Sequence, residues 1–540
     1  MTDRKHFDKN RRSLLKSFGG LMAAGGLFQV VPGIQVFNVA HASTAGGFND
    51  YKALVRLEMN GGCDSFNILI PRDSDTAGSW YRRYLSSRGG LINQGGGIGY
   101  AFDDILPIVS EDAASSGNIT AGDFGLNPEF SDRAIPGQPG VITPGLHTLY
   151  NDGSLAFVSN VGSLIEPVSK FEYNNKTRAV PRAVNSHKDQ VEYWNLGSSG
   201  PSSSRGWGAN LIGRILTDGL DNELFPACIS LAGQTKFIES KINTTLNNVP
   251  LYTLSPDGAQ TVRRYNLNDS PSAAFNAMYA QAQESPLVRS FRNSFNKASL
   301  FAETFNTLLT QGEGSTAPGD GWGRINTPYQ TSGNLDPVNN QYPRAEVTVN
   351  GETYQNHLLN QLSTVARLIK TSRESAAGVN ATRQIYVVKL RGFDTHANQM
   401  DNDALPRLLA MVSQAVGYFS EAMAEINAEN DVTLFSSSEF GRTLNPNGSG
   451  TDHGWGGVQF IQGGAVNGGK IYGQHPLMNI NADDDSSMDW SFSRGQYIPT
   501  TATDQMMATL SRWMGANNDD LNFIFPYLSN FSESDLGFLS

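Results

Sequence analysis

The strongest constraint on this 540-residue chain is a recurring unit: a short apolar run rich in β-branched residues, closed by a polar, often Gly-rich loop, with helix-period stretches between runs. Lys52 to Met59 alternates as a strand does and ends in Asn60-Gly61-Gly62-Cys63-Asp64-Ser65, a turn-prone loop with one acid. Leu155 to Ser159 is a second such run, Gln384 to Leu390 a third and Val432 to Phe435 a fourth. Runs of this length suit strands buried on both sheet faces. His357 to Ser372 and Leu405 to Ile426 carry apolar residues at helical spacing, and Ala273 to Leu309 reads as two further helices. Strands that alternate with helices need crossover connections, which predicts an α/β fold: a mostly parallel sheet with helices on both faces. Ligands of such sheets gather at the carboxyl edge of the strands.

Composition agrees with a globular chain. It is 39% hydrophobic and 17% charged, enough apolar material for a large core. The reading is one domain over residues 43–540 with loop-rich insertions, because large α/β proteins often run long as one elaborated sheet. Ser198 to Gly206, Gln311 to Asn340 and Asn445 to Gly457 are rich in Gly, Ser, Asn and Pro and are read as surface insertions. A net charge of −11 and a pI near 5.3 give no electrostatic footprint for nucleic acid or an anionic membrane surface. Two cysteines, Cys63 and Cys228, imply no disulfide framework and leave a single bridge open.

The N-terminus reads as a targeting segment over residues 1–42. Asn10-Arg11-Arg12-Ser13-Leu14-Leu15-Lys16 is a basic region, an apolar run interrupted by glycines follows from Phe18 to Val31, and Ala40-His41-Ala42 offers small residues at cleavage positions. The paired arginines resemble a twin-arginine (Tat) signal. The apolar run falls short of the about 20 residues a spanning helix wants, so no stable membrane span is expected in the mature form. The expectation is a periplasmic or secreted protein whose partner in transit is the Tat export machinery.

Histidine is scarce after this segment: His147, His187, His357, His396, His453 and His475. Two of them sit beyond strands. His396 lies in Gly392-Phe393-Asp394-Thr395-His396, and His453 in Gly450-Thr451-Asp452-His453-Gly454. Ser438-Glu439-Phe440-Gly441-Arg442-Thr443 follows the fourth strand directly. These loops offer Asp394, His396, Glu439, Asp452 and His453, and the first strand adds Asp64. Such a mixture suits one or two divalent ions, with imidazole favouring zinc or manganese and carboxylate favouring calcium. Any single Asp-x-His pair can equally be a loop tied by hydrogen bonds; agreement among separate loops is what points to a site. Arg442 is a surface charge, a salt-bridge partner of Glu439, or a clamp for a tetrahedral oxyanion.

Asn185-Ser186-His187-Lys188-Asp189 through Tyr193-Trp194 is a second constellation. Ser186 precedes a helix and either caps it or acts as a nucleophile beside a metal, with His187 orienting it or transferring protons. Cys63 lacks a matched histidine and is read as structural. No Gly-x-Ser-x-Gly elbow, P-loop or dinucleotide fingerprint is visible, and Asp483-Asp484-Asp485 reads as a solvated acidic loop.

At these residues the chain resembles the Tat-exported bacterial family of domain of unknown function 1501, within the alkaline phosphatase and sulfatase-like superfamily. The motifs that carry the resemblance are Asn60 to Asn67, Gly145-Leu146-His147-Thr148-Leu149 with Gly153-Ser154-Leu155-Ala156, Ser186-His187, Phe393 to His396, Ser438 to Thr443, Thr451 to Gly454, and Ile498-Pro499-Thr500 with Trp513. The resemblance implies that Asp64 and Glu439 serve one metal with Ser186 nearby, and that Asp394, His396 and His453 serve another. The chain departs from that pattern where Glu439-Phe440 stands in place of Asp-His, which removes an imidazole, and where Asp394 and His396 are two residues apart rather than four. Cys63-Asp64-Ser65-Phe66-Asn67 is not the Cys-x-Pro-x-Arg pattern that sulfatases modify. The leading expectation is an exported, metal-dependent hydrolase of phosphate or sulfate esters. The alternative is a non-catalytic binding or surface-assembly protein that keeps the fold and takes an anionic or glycan-type ligand.

Overall fold

The computed structural model describes residues 29–31, 34–37, 48, 50–92, 94–108, 123–135, 142–197, 205–216, 226–239, 251–254, 345–373, 381–401, 404–476, 478, 491–492 and 494–540. The helices read between Ala273 and Leu309, the loop Gln311 to Asn340, most of Ser198 to Gly206, the Asp483-Asp484-Asp485 run and most of the targeting segment lie outside these residues.

An eleven-stranded sheet organises the molecule. In chain order its strands are β1 (Gln29–Val31), β2 (Ile34–Phe37), β3 (Lys52–Asn60), β4 (Leu155–Gly162), β5 (Cys228–Ser230), β6 (Leu251–Thr253), β7 (Arg383–Arg391), β8 (Val432–Ser438), β9 (Gly457–Gln462), β10 (Ile471–Gly473) and β11 (Thr501–Ala502). Across the sheet the order is β1-β2-β6-β5-β7-β3-β8-β9-β4-β10, with β11 also on β4. The central neighbours β6, β5, β7, β3 and β8 run parallel. Strand β9 runs against both β8 and β4, while β2 opposes β6 at the other side. The fold is therefore α/β with a mixed, mostly parallel sheet.

The four strands read from the sequence are β3, β4, β7 and β8, and β4 and β8 continue three residues beyond the apolar runs. In β8 the extension is Ser436-Ser437-Ser438, which ends the hydrophobic pattern yet stays in the ladder with β3. Its hydroxyls are satisfied locally: Ser436 donates to Gln459 Oε1 at 2.8 Å and Ser438 to the Met59 carbonyl at 3.1 Å. Three buried hydroxyls thus take a place that an apolar reading leaves out.

Period-2 alternation sends each strand's residues to two cores. Ala53, Val55, Leu57 and Met59 of β3 join Tyr386, Val388 and Leu390 of β7 against the helices α3 (His357–Arg373) and α4 (Ala404–Glu425). Leu54, Ile385, Val387 and Phe435 face the other way, against Trp207, Leu211, Met506, Leu510, Leu521 and Phe525. The helices on this second face are α2 (Trp207–Ile215), α5 (Thr503–Trp513) and α6 (Asn518–Ile524), and α1 (His187–Leu196) precedes them in the chain. Helices thus cover both faces. Helix α4 is buried without a break from Leu408 to Phe419, so its middle is enclosed on all sides rather than along one apolar stripe.

On the second face the apolar layer gives way toward the carboxyl edge. Arg56 and Glu58 occupy the next two positions after Leu54 on that side of β3, and Lys389 follows Val387 on β7. The carboxyl edge is polar before any loop begins.

Asn445 to Gly457 departs from the expected surface insertion. Its residues 447–449 are exposed, but Thr451 and Trp455 are buried, and the segment returns along the Glu439 loop. Gly454 N–H donates to the Gly441 carbonyl at 2.8 Å and Thr443 N–H to the Asp452 carbonyl at 3.0 Å. Gly, Asn and Ser supply turns here rather than a solvated excursion. Cys63 and Cys228 are both buried and unbridged; burial pushes the Cys63 thiol well above its ordinary range, consistent with a structural role.

Gly417 makes the packing testable. It sits inside α4, where a Cβ would fall 1.8 Å from the Pro144 carbonyl oxygen. Helix propensity alone would favour Gly417→Ala by about 1 kcal/mol. The contact reverses the sign: the variant is expected to lose about 1–3 kcal/mol, the usual cost of overpacking, by urea denaturation. A more stable variant would show that the α4 backbone is not pinned against Pro144.

Candidate metal centre

Strand ends set the positions. Asn60 of β3 pairs with Arg391 of β7, so the two loops leave side by side, and Phe393 N–H donates to the Asn60 carbonyl at 3.2 Å. Only glycine fits beside this crossing, because a Cβ on Gly61, at φ +125°, would lie 2.3 Å from the Asp394 nitrogen. The Glu439 loop leaves β8 next door. The hairpin-like return before β9 adds His453 through a bridge between Arg442 and His453. His187 arrives on the opposite side, as the first residue of the helix His187–Leu196.

These segments bring three imidazoles around one carboxylate. His187 Nε2 is 3.5 Å from Asp394 Oδ2, His396 Nε2 is 3.2 Å from Asp394 Oδ1 and His453 Nε2 is 3.4 Å from the same oxygen. Donor atoms of His187, Asp394 and His453 all lie within 4.8 Å of one another. His396 joins them, its Nε2 being 2.8 Å from His453 Nε2.

The other ring nitrogens are already engaged. His187 Nδ1–H donates to Glu439 Oε2, His453 Nδ1–H to the Asn185 carbonyl at 2.8 Å and His396 Nδ1–H to Asp452 Oδ1 at 3.3 Å. Partners of this type fix the tautomer. Each ring therefore turns the lone pair of Nε2 inward. The 2.8 Å between His396 Nε2 and His453 Nε2 is accommodated either by a proton shared between the rings or by a cation that both would ligate from one side. Burial lowers the His453 imidazole below its ordinary range, against the Asn185 carbonyl that works to raise it, which favours the neutral, ligating form. The donor set fits a transition metal: three neutral imidazoles and one carboxylate.

Arg442 holds the anion in place. Its side chain is fully buried and donates to Asp394 Oδ1 at 2.8 Å, to the Gly61 carbonyl at 3.1 Å, to Thr451 Oγ1 at 3.0 Å and to the Thr451 carbonyl. Its ion pair is with Asp394, not with Glu439. Partial desolvation works to raise the Asp394 carboxyl, and the Arg442 guanidinium outweighs it, holding the group below the usual carboxylate range. Burial raises Glu439 above that range despite the opposing pull of His187. The Phe440 ring stacks near His187 and His453, with centroids 4.9 and 4.5 Å away, and walls the cluster on one side.

The remaining site candidates lie elsewhere. Asp64 is fully buried in an ion pair with Arg88 and accepts from Gln399 Nε2 at 2.5 Å; it stands outside the histidine cluster. Asp452 supports His396 from behind and pairs with Arg494 at 2.9 Å. Ser186 caps its helix, its Oγ–H donating to Asp189 Oδ2 at 2.7 Å and accepting from the Asp189 N–H at 3.4 Å. His475 is buried against Ser159, 2.8 Å away, and His147 bonds the Pro107 carbonyl. The sequence reading did not mark Asn60, which donates to Glu439, the Asn185 carbonyl, or Gln399 and Thr451, which link Asp64 to Arg442. Backbone acceptors leave no residue-type signal, and Gln and Thr in loops are too common to stand out.

Comparison with known proteins adds one family. Residues 363–521 match the model of a family described as a protein of unknown function (DUF1501), which supports the resemblance drawn from the motifs. That stretch holds Asp394, His396, Glu439, Arg442, Asp452 and His453, but neither Asp64 nor His187. No curated protein matches the chain. Among solved structures, the crystal structure of Ps i-CgsB is similar at 10% identity over 74% of this chain and 72% of that one, with a TM-score of 0.27. The same protein in complex with k-i-k-neocarrahexaose gives 11% identity over 70% and 69%, also at 0.27. Overlap at that level says nothing of what this chain binds.

Arg442→Met tests the account of Arg442. It leaves the carbonyls of Gly61 and Thr451 without a donor, at about 1–3 kcal/mol each when buried. The expected loss is therefore about 2–5 kcal/mol in unfolding free energy, read by chemical denaturation in excess chelator. A loss under about 0.5 kcal/mol, the level of an ordinary surface substitution, would mean that the buried guanidinium is dispensable.

Proposed function

We propose that this chain is an exported, metal-dependent hydrolase-like protein acting on phosphate or sulfate esters, with one transition-metal ion held by His187, His453 and Asp394 and completed by His396. The observation that carries the reading is the inward turn of three Nε2 atoms around a single carboxylate, each ring braced through Nδ1 by a separate acceptor. Three imidazoles favour zinc or manganese over calcium. Asp64 belongs to a different device, because Arg88 already neutralises it, and this supports one ion rather than two. The paired arginines at Arg11-Arg12, read as a Tat signal, support a reading in which the protein acts in the periplasm or beyond.

A divalent ion held by His187, His396, His453 and Asp394 would supply Lewis-acid chemistry, activating water and offsetting charge on an ester oxygen. The chain's own residues do the rest. Arg442 is a positioning residue that fixes Asp394 from the protein side. Glu439 accepts from His187 Nδ1 and sets the direction of that ring. Ser186 Oγ–H points its proton at Asp189, so an attacking Ser186 would pass its proton to that carboxylate.

A second reading has its own support. Ser186 is engaged as a helix cap and Arg442 is buried away from solvent, so neither stands free to attack or to clamp an ester. A binding protein that keeps the metal centre and turns nothing over would look the same. Turnover separates the two.

Metal analysis of protein purified after native export, combined with assays on aryl phosphate and aryl sulfate esters, tests the proposal. Wild type is expected to hold about one equivalent of zinc or manganese, and His453→Ala and Asp394→Ala to bind it at least about tenfold more weakly, with ester turnover lost alongside. Asp64→Asn is expected to keep the metal. Two equivalents, one of them lost in Asp64→Asn, would contradict the single-ion centre; a full metal complement with no turnover of either ester class would move the binding reading ahead.

A further inference from the structure

Beside the metal centre, on the second face of the sheet, lies a cavity of about 500 Å³, within the range of about 300–1,000 Å³ typical of small-molecule sites. It reaches the centre through His187 and Glu439, which line both. Its floor is the polar end of the sheet, Arg56, Glu58, Lys389 and Ser437, and its rim is carried by Gln234 and Lys236. Nothing in the metal chemistry uses these groups.

The charges of the floor and of the Lys236 rim are paired among themselves. Lys389 Nζ lies 2.7 Å from Glu58 Oε2, Arg56 lies 3.6 Å from Glu58 Oε1, and Lys236 Nζ is 2.5 Å from Glu192 Oε1. Arg56 is further committed to Ser437 Oγ at 3.0 Å and Asn195 Oδ1 at 2.7 Å, with its guanidinium over the Phe237 ring at 4.7 Å. Desolvation works to raise Glu58, and Arg56 and Lys389 outweigh it, so Glu58 stays an ionised acceptor.

This floor and rim do not suit an anion, since Arg56, Lys389 and Lys236 each already have a carboxylate that an incoming negative charge would meet; Lys188, also in the lining, is exposed to solvent. The floor and rim do suit hydroxyl groups. A hydroxyl both donates and accepts, so it can bridge a Lys–Glu pair without displacing either partner. The alkyl stems of Lys389 and Lys236, with Val191 and Met59 in the lining, offer apolar surface to C–H faces.

We propose that this cavity is a binding site for a neutral polyhydroxylated ring of the saccharide or cyclitol class, seated between the Glu58–Lys389 pair and the Gln234–Lys236 rim. It rests on the metal-centre reading only in assigning which end of the ligand reacts: the ring enters the cavity and an ester substituent reaches His187 and Asp394. Occupancy of the cavity itself needs no metal.

The test is direct binding, by saturation-transfer NMR and calorimetry, of a panel of neutral monosaccharides, disaccharides and inositol to the full exported chain, with inorganic phosphate and sulfate as anionic probes. At least one neutral member is expected to bind with or without metal. Lys389→Met and the rim variant Gln234→Ala, which lies at an exposed position, are each expected to weaken it at least about tenfold, the scale of one charge-assisted or well-placed hydrogen bond. His453→Ala, which removes a metal donor outside the cavity, is expected to leave it unchanged. Loss of metal in that variant with saccharide binding intact upholds the cavity site whatever becomes of the ester reading. No binding by any neutral member to folded protein would overturn the inference, as would phosphate or sulfate binding that is lost in Lys389→Met while neutral rings are ignored.

Discussion

One buried guanidinium ties the carboxyl edge together. Arg442 leaves the loop after β8 and donates to Gly61 beyond β3, to Asp394 beyond β7 and to Thr451 in the return toward β9. Three segments distant in sequence, the loops after β3, β7 and β8, therefore meet at one side chain. A parallel sheet places strand ends in a row but does not say where their loops go. Here a planar group with five donors does, because its fork can satisfy carbonyls and a carboxylate at once. The glycines at the crossing follow from the same closeness: Gly61 passes so near Asp394 that no Cβ fits.

Negative charge at this edge is resolved in two ways. Asp64 is sealed from water and answered by Arg88, a residue of the chain itself. Asp394 is answered only in part by Arg442, since its carboxylate is 44% exposed and faces three imidazole lone pairs. The first arrangement is closed to solvent and its charge is matched, although Asp64 Oδ1 and Arg88 Nε have no hydrogen-bond partner among the described residues. The second leaves a part-exposed carboxylate facing ring nitrogens, the arrangement that the proposed ion would complete. Phe440 and Glu439 belong to that second arrangement, one as a wall for the rings and one as the partner that aims His187. His187 brings its imidazole to the site from the far side, against the Phe440 ring.

Much of this was legible in the sequence. Strands β3, β4, β7 and β8 follow from alternating or continuous apolar runs, and α3 and α4 from their period. Asp394, His396, Glu439 and His453 stood out because scarce histidines followed buried strands. What the sequence could not show depends on long-range geometry. His187 looked like a helper to Ser186, since nothing local reveals that its helix start faces the loops after β7 and β8. Asp64 looked like a ligand, since only the fold brings Arg88, at the end of the helix Trp80–Ser87, against it. The reversed strand β9 and the inward course of Asn445 to Gly457 were hidden by Gly-rich composition, which marks turns without saying what they face. The charged floor formed by Arg56, Glu58 and Lys389 was hidden within strands read for their apolar positions.

The central claim is that His187, His396, His453 and Asp394 form one metal centre and that Asp64 does not. An anomalous difference map from crystals of the exported protein grown with zinc tests this most directly. The account predicts a single strong peak within about 2.0–2.2 Å of imidazole nitrogen and carboxylate oxygen, bounded by the Nε2 atoms of His187 and His453 and by Asp394. A peak against Asp64, or a histidine cluster that stays empty at saturating zinc, would contradict it.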